Sequence, residues 1–261
     1  MTHSLFFRTD ASFICLVLFI CCIGMVALGR FLRNRYFHAD QQETKGGVSS
    51  LLGALFGLWG FLLAFTFSNS SARFDSVRAI MVDESNAVRN TFLRTQTFPD
   101  SIGHDLRADL KIYLEARIAY YHDISDPVKF NQVKENARTA GKRLWTKTVE
   151  ASSLPNMGLV CSNMYNSLTV MFDLAAKRDA ILLSGIPELI IYMLLFLALA
   201  VSFIGGFTTV VINTKEWIVV GGFILLACII IFLTLDLSRP MRGFIKPDAG
   251  EERIEKLLEL F

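Results

Sequence analysis

The sequence predicts an all-α membrane protein: four transmembrane helices in two hairpins, with a helical soluble domain inserted between the hairpins. Three observations carry this. Four long apolar blocks, 13–29, 48–67, 186–211 and 217–235, contain no Lys, Arg or Asp, and their only acid is Glu188 at the start of the third. The blocks are joined pairwise by short segments, whereas a polar stretch of about 118 residues, 68–185, separates the pairs. Nowhere does the chain alternate polar and apolar residues as a half-buried strand would.

The composition agrees. The chain has 261 residues, 52% of them hydrophobic and only 19% charged, where a soluble domain carries about 25% charged residues. The mean hydropathy is +0.43. About 20 apolar residues at 1.5 Å each cross a hydrocarbon core of roughly 30 Å, and lipid supplies no hydrogen-bond partner, so the spans must be helices. The first block is longer than the apolar region of a signal peptide, about 7–15 residues. Only Arg8 precedes it as a basic residue, and although Ala27-Leu28-Gly29 offers a small-residue cleavage pattern, a retained helix keeps the number of spans even.

The layout divides into a first hairpin (1–67), the soluble domain (68–185), a second hairpin (186–235) and a C-terminal corner with an amphipathic tail (236–261). Residues 70–94 continue the second span without Pro or Gly, and Pro99 breaks the run. Ser101 caps the next helix, with Leu106, Leu110, Tyr113, Leu114, Ile118 and Tyr121 on one face. Asp126-Pro127 starts another, as N-cap and first helical residue, with Val133, Ala137, Ala140 and Leu144 inward. Pro155 opens a last one carrying Leu159, Met164, Leu168, Met171, Phe172 and Ala175. In the tail, Ile254, Leu257, Leu258 and Phe261 share one face of a helix too short to stand alone, so it should dock on the bundle, a neighbouring subunit or lipid.

With four spans, both termini and the soluble domain lie on one side. Near the membrane that side carries eight Lys and Arg residues and the other five, which favours a cytoplasmic soluble domain by the positive-inside rule; the membrane expected is the inner one. The short, basic first loop argues the opposite way.

Catalytic and metal chemistry find no footing. His3, His38, His104 and His122 do not cluster, and four of the five cysteines lie in apolar blocks, leaving Cys161 alone in the soluble part. No nucleophile elbow, phosphate loop or dinucleotide motif occurs. A net charge of +2 without a basic, aromatic-interleaved patch argues against nucleic acid. The expectation is no enzyme, no cofactor and no metal.

The second span carries the candidate function. Ser49, Gly53 and Gly57 recur every four residues, as do Gly60, Ala64 and Ser68, and small residues at this spacing let helices approach closely in lipid. Packing of helices within one subunit is one reading. The other is a helix lining a pore in a ring of subunits, with Phe61 and Phe65, one turn apart, as apolar rings that gate by dewetting. Asn69 and Arg73 would then form a polar vestibule, with Arg73 and Arg78 drawing anions. At the far end of the fourth span, Asp236, Arg239, Pro240 and Gly243 read as a structural corner, Pro ending the helix and Gly permitting a turn.

The run GFLLAFTFSNSSARFDSVR at 60–78 and LDLSRPMRGFI at 235–245 resemble the bestrophin-like family of bacterial membrane proteins and, more distantly, the bestrophin channels. This resemblance implies a pentameric ion channel of the chloride-conducting kind, with a cytoplasmic helical domain and a neck of apolar residues on the second helix. Counting back from Arg73, the matching positions are Phe65, Phe61 and Gly57. Gly57 departs from the pattern and removes one ring. Phe74 stands alone where paired aromatics are expected, and the acidic calcium clasp has no counterpart. The implied partners are membrane lipid, further copies of the chain and inorganic ions. A non-conducting scaffold or sensor, built on the same two hairpins and helical domain, is the alternative.

Overall fold

The structure, a computed structural model, describes residues 10–36, 45–122, 127–183, 187–208, 214–239, 243–246 and 248–261. The described residues form α1 (Ala11–Tyr36), α2 (Lys45–Thr95), α3 (Asp100–His122), α4 (Pro127–Ser152), α5 (Gly158–Leu183), α6 (Glu188–Thr208), α7 (Thr214–Leu237) and α8 (Asp248–Lys256), followed by a 3-10 turn, Leu257–Leu260. No strand occurs among them. The chain divides into a unit made of 1–72 and 185–239 and a second made of 73–184 and 240–261. Helix α2 contributes to both. Its 51 residues are helical throughout, and neither Pro nor Gly falls between Gly60 and Pro99.

Among the described residues, the first unit holds four helices long and apolar enough to cross a membrane: α1, the start of α2, α6 and α7. Its core is formed by residues such as Leu18, Val26, Trp59, Leu63, Leu194 and Ile231. Contacts along α1 and α6 ascend together, from Cys22 beside Ser202 to Arg33 against Thr208, so these helices run parallel. That is the relation a first and a third crossing must have. The closest approach is at Gly29 and Gly206. A Cβ on Gly29 would strike the Phe203 carbonyl oxygen, and one on Gly206 would lie 2.7 Å from the Val26 Cα. Helix α1 also runs past the expected boundary at residue 29 to Tyr36. Arg33 explains part of this extension: its Nη1 donates to the Phe207 and Thr208 carbonyls at 3.1 and 2.6 Å, satisfying groups left open at the end of α6.

The second unit is a helical bundle with a core of residues such as Val77, Met81, Leu110, Leu144, Met164 and Leu168. On α2, Val77, Met81, Glu84, Val88, Thr91 and Thr95 are all buried, and their alternating spacing of four and three is that of a single helix face. Two expectations need correction. Helix α5 starts at Gly158 rather than Pro155, after Asn156 takes a left-handed φ of 63°. In consequence Leu159 points outward, 77% exposed, and Met157 and Cys161 begin the buried stripe instead. The tail docks on this unit: Ile254 and Leu257 are buried, and the Phe261 ring packs edge-on against Phe92 at 4.9 Å.

At the corner, Asp236 is buried and its carbonyl accepts from the Arg239 backbone N–H at 2.9 Å. Gly243 is buried, while Pro240 lies outside the described residues, as do Asp126 and Gly185.

Candidate functional site

In the membrane unit, α2 presents two unlike faces. Trp59, Leu63, Thr66 and Ser70 are buried within the chain. The Trp59 Nε1–H donates to the Leu194 carbonyl at 3.3 Å, and the Phe56 ring meets Phe223 edge-on at 5.6 Å. Thr66 and Ser70 return their hydroxyls to the carbonyls of Leu62 and Thr66, at 2.7 and 3.0 Å, so neither brings an unpaired polar group into lipid.

The other face carries Gly57, Phe61, Ala64, Phe65, Ser68 and Asn69, all exposed in the chain. Phe61 is 70% exposed and Phe65 52%. A Cβ added to Gly53, Gly57 or Gly60 meets nothing within 4 Å. Within one chain these glycines are therefore not the points of close helix approach. That role belongs to Gly29 and Gly206.

The interior among the spans is apolar. A cavity of about 1050 Å³ lies among the spans, walled by α1, α2, α6 and α7, and no charged side chain lines it. Ser202, one of its few polar lining groups, donates its hydroxyl to the Ala198 carbonyl at 2.8 Å. An ion entering would lose its hydration with nothing to replace it.

Arg73 does not stand with Asn69 on the open face. It is half-buried, and its Nη2 donates to the Ile181 and Leu182 carbonyls at 2.8 and 3.4 Å in the last turn of α5. A cation there complements the negative end of that helix.

Eleven residues further along α2, Glu84 belongs to an ion cluster that the local sequence pattern does not reveal. Glu84 is buried. It accepts from Arg117 Nε of α3 at 2.8 Å and pairs with Arg178 Nη1 of α5 at 2.8 Å. Arg117 also pairs with Asp179 at 3.2 Å, and both guanidinium groups lie over the Tyr120 ring, at 5.0 and 5.2 Å. Burial opposes the charge of Arg117, but Glu84, Tyr113 and Asp179 outweigh it and raise its pKa. For Arg178 burial wins and lowers the pKa to about 10, against the pull of Glu84. The missed signal was register. Glu84, Arg117 and Arg178 fall where the apolar stripes of their helices predict a core residue.

The architecture has known counterparts. A model of the bestrophin-like domain matches residues 15–246. The chain belongs to the bestrophin-like family. A mutant of a bacterial bestrophin homologue from Klebsiella pneumoniae shares the fold, with a TM-score of 0.66 at 13% identity over 96% of this chain and all of that one. A second structure of that homologue gives 0.67 at 13% identity, covering 94% and 96%. No curated protein is similar enough to this chain to count as a match. At such low identity the structural likeness concerns the fold of the bestrophin-like chain and leaves its side chains to be argued from their own positions.

Proposed function

We propose that this bestrophin-like protein is an ion channel, a ring of subunits conducting passively along an axis lined by α2. The observation that carries the reading is the open face of α2. Phe61 and Phe65 point away from the core of their own subunit at 70% and 52% exposure, although the same helix buries Trp59 and Leu63. In a ring they form two successive apolar constrictions, with Gly57 a wider point and Asn69 a polar exit. The uncharged cavity within each subunit supports placing the path between subunits. Arg73, turned onto the end of α5, acts on passing anions through its field rather than by contact. Five subunits, anion preference and a cytoplasmic helical unit in the inner membrane complete the proposal. The partners are lipid, further copies of the chain and inorganic ions.

The test begins with subunit number in mild detergent, by mass analysis, followed by anion flux in proteoliposomes. A closed ring is expected, and Phe61→Ala with Phe65→Ala should raise flux several-fold while leaving assembly intact. A monomer would remove the axis and favour a non-conducting scaffold. A ring whose flux ignores both substitutions would place the gate elsewhere.

A further inference from the structure

A second cavity, about 570 Å³, opens in the helical unit among α3, α4 and α5, within the size range of small-molecule sites, about 300–1,000 Å³. Its walls combine three aromatic side chains, Tyr113, Trp145 and Phe172, with small residues. The small residues make the space. At Gly141 a Cβ would come within 3.0 Å of Phe172 Cε1, so the glycine seats that ring. Trp145 remains 41% exposed even though it also packs on Tyr165 at 5.0 Å, which leaves a large flat apolar surface open to water.

Charge is distributed unevenly around this space. Lys134, Arg138 and Lys142 line it at intervals of four on α4, and all three are exposed. One exposed contact, Arg138 to Glu135 at 3.2 Å, offsets part of that charge. Deeper in, Arg117 and Asp179 face each other at 3.2 Å and leave little net charge. An anion therefore gains at the rim and meets Asp179 if it sits deep. An apolar ring gains inside, between Trp145 and Phe172.

We propose that this cavity binds a small aromatic monoanion, its ring among Tyr113, Trp145 and Phe172 and its charged group at Lys134, Arg138 and Lys142. A bare inorganic anion forgoes the aromatic walls, and a neutral ring forgoes the rim.

Fluorine NMR on the full chain in detergent separates these cases with three probes: para-trifluoromethyl-benzenesulfonate, the matching neutral sulfonamide, and trifluoromethanesulfonate, which lacks the ring. Saturable binding of the aromatic sulfonate is expected, roughly tenfold tighter than either companion, about 1.4 kcal/mol. Lys134→Gln with Lys142→Gln should erase its advantage over the sulfonamide. Ala176→Phe, at an exposed position lining the cavity, should weaken it about tenfold with the thermal melt unchanged. Several results would overturn the proposal: no saturable binding of the sulfonate, a sulfonamide that binds as well, a ringless anion that binds as well, or binding indifferent to Ala176→Phe.

Discussion

In the membrane unit, Trp59 and Arg33 donate to backbone carbonyls on a neighbouring helix. In the helical unit, Arg117 and Arg178 are held by the side chain of Glu84. The difference follows from what each unit can use to hold its helices together. Between spans, lipid tails are as apolar as the side chains, so burial brings little. Close backbone approach at Gly29 and Gly206, with a few hydrogen bonds to carbonyls, takes over. In the bundle, water drives Leu106, Leu110, Leu144, Met164 and Leu168 out of solvent. That core is large enough to tolerate a buried ion cluster. Such a cluster fixes which faces of α2, α3 and α5 meet, because any other register leaves a charge unpaired.

The strongest way to break this comparison is to remove the shared acid. Glu84→Ala leaves Arg117 and Arg178 buried together without the acid they share most closely, Asp179 lying at 3.2 and 3.9 Å from them. A loss of about 3–5 kcal/mol is expected, seen as a large drop in the melting temperature of the detergent-solubilised protein. A melt within a degree of the parent would mean that the cluster is not holding the bundle in register.

Alkali attacks the same region through Tyr113. Burial pushes its pKa up from 10 to about 12, helped by Glu84 and opposed by Arg117. A raised folded-state pKa stabilises fully below pH 10, and that stability is lost as pH climbs from 10 towards 12. Up to ~3 kcal/mol is at stake over two pH units. Tyr113→Phe should flatten this alkaline decline in an unfolding series, and tyrosinate absorbance should show one late-titrating group fewer.

The membrane unit is tested by Gly206→Ala. The new Cβ meets the Val26 backbone, which cannot swing aside as a side chain would. Overpacking of about 1–3 kcal/mol is expected, read as a lower melting temperature with the helical unit still resistant to protease. Smaller again is Arg73→Ala. It removes two donations to the end of α5 and should lower stability by about 1–2 kcal/mol. A melt unchanged from the parent would mean that these two donations do not hold the end of α5.

How far these features were legible depends on whether they are local. The four spans could be read because lipid imposes a length and forbids charge. The run of α2 into the bundle could be read because Pro and Gly are missing over residues 61–98. Gly29 and Gly206 could not be told from Gly53 and Gly60, since all are small residues in apolar helices and only the tertiary neighbours differ. The ion cluster was half legible. Glu84, Arg117 and Arg178 each sit in phase with an apolar stripe, but their mutual partners lie on three helices far apart in sequence. Arg73 needed the position of the α5 terminus, which no local pattern contains.

The gentlest change is also the sharpest. Gly53→Ala and Gly60→Ala add a methyl group that touches nothing in the same subunit. For the single chain, loss of glycine in a helix should stabilise by about 0.5–1 kcal/mol. In a ring with α2 facing the axis and its neighbours, the same methyl groups enter whatever lies across the subunit boundary. Melting temperature and subunit number, measured together, separate the two situations. A slight gain in stability with assembly unchanged leaves these glycines facing lipid or the pore lumen. A loss of assembly, with each subunit still folded, places them in an interface between copies. In that case close approach of small residues operates twice in this membrane unit, at Gly29 and Gly206 within a subunit and along α2 between subunits.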